Sequence, residues 1–175
     1  MNYDVWGGFS TTVGPNGPLN DTCAPTPSRD GSAVSGVMAW STAGFPREKM
    51  ILGVPAYGHS FHVEKSDAVD ASGNIKLFAP FNKTLQPAGD KWDGTAGGVD
   101  ECGNPNTVGG IFDFWGLIVG GFLTDCGTAA EGILYEYDTC SQTVRTPTYS
   151  VTRSYGLLSN DRFDFSPLST IRHRR

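Results

Sequence analysis

Basic charge is scarce in this chain of 175 residues: 13 Lys and Arg stand against 18 Asp and Glu, for a net charge of −5. A nucleic-acid-binding protein needs a basic face, and this balance offers no case for one. No apolar run is long enough to span a bilayer, so no membrane insertion is expected. The four cysteines, Cys23, Cys102, Cys126 and Cys140, include no Cys-x-x-Cys pair. Metal-binding spacing is therefore missing, and neither a metal nor another cofactor is expected. No secretory leader is expected within these residues, because the chain opens directly on an extended stretch. Turn-forming residues are plentiful. With 23 Gly and 11 Pro the sequence favours a loop-rich protein over a helix bundle. Its length supports one domain with its own core, yet falls short of the roughly 250 residues typical of a (β/α)8 barrel.

Met1-Asn2-Tyr3-Asp4-Val5-Trp6-Gly7 alternates its side chains with period two, as a strand does. Tyr3 and Asp4, adjacent near its end, can reach one ligand from two directions. Phe9 to Pro27 is rich in turn residues and reads as a loop. A helix should follow, capped by Ser28 or Asp30, with Ala33, Val34, Val37, Met38 and Trp40 along one apolar stripe. Gly44 and Pro46 end it, and Trp40 is expected in the core. Lys49 to Val54 is apolar without alternation, as suits a parallel strand covered on both faces. Strand, helix and strand make a βαβ unit, which brings Tyr57 to the same cleft as Tyr3 and Asp4.

Residues 62–143 are too many for a loop and carry their own signals: a strand-like Ile75 to Phe78, helical spacing from Gly110 to Leu123, and alternation from Ile133 to Asp138. Charge then changes. Residues 1–144 hold 7 Lys/Arg and 16 Asp/Glu, whereas residues 145–175 hold 6 Arg and 2 Asp. The chain thus divides into 1–61, 62–143 and a basic tail, 144–175. Asn20-Asp21-Thr22 and Asn82-Lys83-Thr84 are glycan acceptor sequons, making Asn20 and Asn82 glycosylation candidates in a secreted protein.

Two stretches carry a family resemblance. Met1, Tyr3 and Asp4 match the Met-x-Tyr-Asp motif on the sixth barrel strand of glycoside hydrolase family 18, the chitinases. Leu52 to Gly58 matches the Leu-Gly-Val-Pro-x-Tyr-Gly of the seventh. The likeness is greatest to secreted fungal chitinases of the plant class V type and runs to about Thr143. It implies an α/β fold: a partial TIM (β/α)8 barrel containing the sixth and seventh strands, with residues 62–143 as the α+β chitinase insertion. Met1 would be internal to the family motif and the chain a C-terminal piece. The tail past Val144 departs from the family pattern, which suggests a shifted reading frame or a disordered, solvated variant.

By the same resemblance the substrate is chitin or N-acetylglucosamine oligosaccharides. Their β-1,4 bonds would be hydrolysed with retention through the substrate's own acetamido group. Tyr3 and Asp4 would be catalytic, with Met1, Tyr57 and Trp92 lining the sugar. Trp115 and Tyr137 could also stack on sugar rings, although Trp115 suits the core better. His59 is given no proton-transfer role. The proton donor should sit in Asp-x-x-Asp-x-Asp-x-Glu, a spacing this chain lacks: Asp67 and Asp70 lead to Ser72 and Asn74, and Asp161 and Asp164 to Ser166 and Leu168. The chain alone should therefore be inactive. The alternative is a chitin-binding lectin that has lost the acid. Secretion implies at least one disulfide, from Cys23 to Cys102 or Cys140, and the full-length protein is expected to be an extracellular monomer.

Overall fold

The computed structural model describes residues 1–93, 99–105, 109–149 and 160–165, with 145–149 and 160–165 described as backbone. The first strand, β1, Tyr57–His62, buries Gly58, Ser60 and Phe61 and leaves Tyr57, His59 and His62 half-buried. Strand β2, Ile111–Asp113, pairs with one edge of β1, setting Asp113 opposite Tyr57 and Ile111 opposite His59. The sheet continues on the other edge through β5, Asn160–Phe165, to β4, Thr143–Tyr149, and β3, Glu136–Asp138. Among the described residues every strand pairing is antiparallel. Two strands of this sheet come from the stretch that charge had marked as a solvated tail. The edge of β1 exposes unpaired N–H and C=O groups, and β5 supplies their partners. Tail residues 150–159 and 166–175 lie outside the described residues.

Neither Met1–Gly7 nor Lys49–Val54 forms a strand. They run side by side, and one backbone bond joins them, from the Asn2 N–H to the Gly53 carbonyl at 2.9 Å. A ladder needs repeated pairing, and among the described residues no further strand flanks either segment. The helix does form. Helix α1, Ala33–Thr42, starts at Ser32, not at Ser28 or Asp30, because Ser32 and Ser35 cap each other reciprocally. Its first turn docks through the Ala33 and Val34 amides, which donate to the Pro18 and Leu19 carbonyls. The apolar stripe beyond that turn stays open, and Trp40, expected in the core, is 64% exposed. Its indole lies edge-on to Phe45, with 6.0 Å between ring centroids.

The core has two parts. Val13, Phe61, Val63, Ala68 and Ala79 cluster under β1, with Val69 and Phe81 packed against them. Phe112 and Leu117 form the second, with Phe122, Leu123 and Val144. The expected helix from Gly110 to Leu123 is divided: β2 occupies its start, and α2, Phe114–Val119, is only six residues long. It buries Leu117 but leaves Trp115 60% exposed, against the expectation of a core position. The alternating segment before Asp138 contributes only the three residues of β3, and the Ile75 segment only a bridge to Val69.

One turn occurs three times in the 62–143 stretch. Bridges Val69–Ile75, Val99–Pro105 and Leu123–Ala129 each close a loop with a left-handed glycine: Gly73, Gly103 and Gly127. In the first two copies an aspartate, Asp70 or Asp100, accepts two backbone N–H bonds and one from an asparagine side chain, Asn74 or Asn104. The third copy uses Thr124 and Thr128 in those places.

Candidate functional site

Tyr57, at the start of β1, donates its hydroxyl proton to Asp4 Oδ1 over 2.8 Å. The same oxygen lies 3.0 Å from His59 Nε2, two residues further along the strand. Residues i and i+2 of a strand share a face, so Tyr57 and His59 both reach Asp4. Tyr3 completes the group, its ring edge-on to Tyr57 at 6.4 Å. The Asp4 side chain is 52% exposed while that of His59 is only 17% exposed, so the carboxylate meets solvent and its partner lies behind it. Among the described residues Asp4 Oδ2 has no partner. Burial holds the Tyr57 phenol well above the ordinary tyrosine range, with the hydrogen bond to Asp4 and the Asp4 charge adding to the shift. At neutral pH Tyr57 is therefore a donor, and Asp4 accepts its bond.

The backbone of Asp4 takes the left-handed conformation, φ 55°, uncommon for a residue other than Gly. Asn16, with no exposed surface, holds it there: its Oδ1 accepts the Asp4 N–H at 2.9 Å. Its Nδ2 donates to the Tyr57 carbonyl at 3.0 Å, and its own carbonyl accepts the Val5 N–H at 3.1 Å. Asn16 lies in Gly14-Pro15-Asn16-Gly17-Pro18, all buried, although the composition of this stretch had marked it as surface loop. The glycines make the burial possible. A Cβ on Gly14 would overlap the Trp6 indole, and one on Gly17 would come within 2.6 Å of the Asn2 carbonyl oxygen and 3.0 Å of the Pro55 ring. Gly53 likewise leaves room for the Tyr3 ring, 3.2 Å from where its Cβ would be.

The remaining expected site residues lie elsewhere. Met1 is 92% exposed and lines a groove with Trp40, Phe45, Met50, Ile51 and Leu52, to which Tyr3, Asp4 and Tyr57 do not contribute. Trp92 is half exposed, with Lys91 Nζ 4.2 Å above its ring. Its amide donates to Asp90 Oδ1, while Asp90 Oδ2 accepts from Asp113, the β2 partner of Tyr57. Tyr137 is 41% exposed on β3. Cys23 and Cys140 form a disulfide, with 6.1 Å between their Cα atoms; Cys102 and Cys126 are exposed free thiols. The amide oxygens of Asn20 and Asn82 accept from the Thr22 and Thr84 amides of their own sequons. Among the described residues no group of three metal-ligating side chains occurs.

Asn16 is the site residue that the sequence reading passed over. The signal was a Gly-Pro-Asn-Gly-Pro run, where both glycines flank an amide side chain able to donate and accept at once.

No family model matches the chain. A chitinase-like effector of Moniliophthora roreri is 51% identical over 159 residues, which cover 89% of this chain and 38% of that protein. The crystal structure of a chitinase from Rhizomucor miehei superposes with a TM-score of 0.69 at 29% identity, over 94% of this chain and 40% of that one. This chain is related to the family 18 chitinases. A family 18 chitinase from Cycas revoluta, solved with (GlcNAc)3, shares the fold at 19% identity and a TM-score of 0.53, over 94% of this chain and 33% of its own. The chain thus spans between about a third and two fifths of the length of these relatives. A match to 89% of it extends past Val144, so the likeness does not stop where charge changes sign.

Proposed function

We propose that Tyr3, Asp4, Tyr57 and His59 form one half of a chitin-binding groove, and that this chain binds β-1,4-linked N-acetylglucosamine oligosaccharides. The observation that carries this reading is Asp4 itself. Two donors behind it fix one carboxylate oxygen, and the other remains open to solvent beside two tyrosine rings. A few fixed polar groups set in an aromatic wall suit a sugar, which offers N–H and O–H donors along with apolar ring faces. In the longer protein, Tyr3 would donate to the acetamido oxygen and Asp4 would hold the sugar at the cleaved bond, for substrate-assisted, retaining hydrolysis. Met1–Gly7 and the segment ending at Ala56 would be neighbouring strands of a closed barrel there; the Asn2 to Gly53 bond supports that reading. Trp92 would offer an outlying stacking surface. The Cys23–Cys140 bond and the two sequons favour an extracellular protein.

No second carboxylate joins Asp4 among the described residues, so a general acid must come from outside them. This chain should bind without cleaving. A second reading, a chitin-binding protein that is not an enzyme at full length, is favoured by the name of the M. roreri relative, a chitinase-like effector. The test is calorimetric titration with (GlcNAc)4 alongside an assay for released reducing ends. We expect binding without hydrolysis, weakened about tenfold or more in Asp4→Ala. Absence of binding by the folded chain would refute the sugar reading. Joining the upstream part of the protein then separates the two readings, since only an enzyme would gain hydrolysis.

A further inference from the structure

The link between Asp4 and Tyr57 is made twice. Directly, the phenol donates to the carboxylate. Indirectly, the buried Asn16 amide spans the two backbones, accepting from the Asp4 N–H and donating to the Tyr57 carbonyl. Backbone, amide, backbone, phenol and carboxylate therefore form one closed ring across segments 53 residues apart. A single bond between two side chains would leave both free to pivot. The second link fixes the backbones from which they project. The left-handed backbone at Asp4 also depends on it, because no other acceptor meets the Asp4 N–H among the described residues.

We propose that Asn16 is the positioning residue of this site: it sets the Asp4 carboxylate against the Tyr57 hydroxyl without touching the ligand. Its effect on sugar affinity rests on the binding reading above, whereas its effect on Asp4 does not. A merely structural asparagine is at hand for comparison. Asn2 is also buried and its Nδ2 donates to the Pro18 carbonyl, but among the described residues its side chain makes no hydrogen bond to Asp4 or Tyr57. Asn16→Ala removes both links. Asn16→Asp keeps an acceptor toward the Asp4 N–H and turns an oxygen, not a donor, toward the Tyr57 carbonyl.

The experiment uses the full 175-residue chain, labelled with 15N, as wild type, Asn16→Ala, Asn16→Asp and Asn2→Ala. Hydrogen exchange of the Asp4 amide reads the first link, and titration with (GlcNAc)4 reads the assembled site. We expect Asn16→Ala to speed Asp4 exchange by about tenfold more than Asn2→Ala does, and to weaken sugar binding by about tenfold or more. Asn16→Asp should keep the Asp4 amide protected and still lose affinity. Equal exchange and equal affinity in Asn16→Ala and Asn2→Ala would overturn the proposal, as would full affinity in Asn16→Asp. If Asn16→Ala does not fold, Asn16→Asp against Asn2→Ala decides it on the same two readouts. If wild type binds no sugar, the binding reading fails and the exchange comparison alone judges Asn16.

Discussion

The site end of the molecule and the insertion are held together in opposite ways. At the site, bonds join residues far apart in sequence: Asn16 to Tyr57, Tyr57 to Asp4, Asn2 to Pro18 and Gly53. In the insertion, each of the three repeated turns closes on itself within six residues. A turn closed by its own residues costs little chain entropy, and little else depends on it. A site assembled from distant segments gains a defined geometry but depends on the packing that brings them together. Disturbing the two regions should therefore have unequal effects.

The disulfide should matter most. Cys23 and Cys140 are 117 residues apart, so their bond closes a long loop and fastens the segment leaving the buried Gly14–Pro18 run to the end of β3. Cys140→Ser should cost roughly 2–4 kcal/mol, measured by denaturant unfolding. Gly17→Ala comes next. A methyl there meets a backbone oxygen and a proline ring, neither able to retreat, and should cost about 1–3 kcal/mol in the same assay. Gly103→Ala tests the other side of the comparison. Its Cβ would meet nothing within 4 Å, so only the left-handed backbone, φ 82°, resists it, at about 1 kcal/mol. A larger loss at Gly103 than at Gly17 would invert the expected contrast between the two regions.

Acid should have the smallest effect. The Asn74 backbone and side-chain bonds hold Asp70 below its usual carboxylate value, and the Asn104 side-chain and backbone bonds do the same for Asp100. A folded-state pKa lowered in this way gives stability that is present above the unfolded value of about 3.9 and is lost as pH falls through the folded value. Both carboxylates are fully exposed, so the loss should be slight. Melting curves between pH 7 and pH 2 should fall marginally further for wild type than for a double variant, Asp70→Asn with Asp100→Asn. Identical curves would mean that the turn bonds add nothing to folding.

Local and distant contacts were also unequally legible in the sequence. Helix α1 was visible because its period and its glycine stop are local, and only its cap shifted, to Ser32. Tyr3, Asp4 and Tyr57, expected together from two motifs, do lie side by side, although neither flanking segment forms a strand of the expected βαβ unit. The rest depends on packing that no window of sequence contains. The apolar stripe with Trp40 predicts burial, but burial needs a partner surface, and none meets it among the described residues. The Gly14–Pro18 run has the composition of a surface turn, yet the same small residues let it fit between Trp6, Asn2 and Pro55. Strand β5 was missed because its pairing depends on the open edge of β1, about a hundred residues away.

Sugar is proposed to bind where Asp4, Tyr57 and His59 meet. Amide chemical-shift mapping of the 15N-labelled chain with (GlcNAc)4 tests it most directly. Perturbations centred on Asp4, Tyr57 and His59 are expected, and they should disappear in Asp4→Ala. Perturbations centred instead on the groove of Met1, Met50, Ile51 and Leu52, or none anywhere in the folded chain, would contradict it.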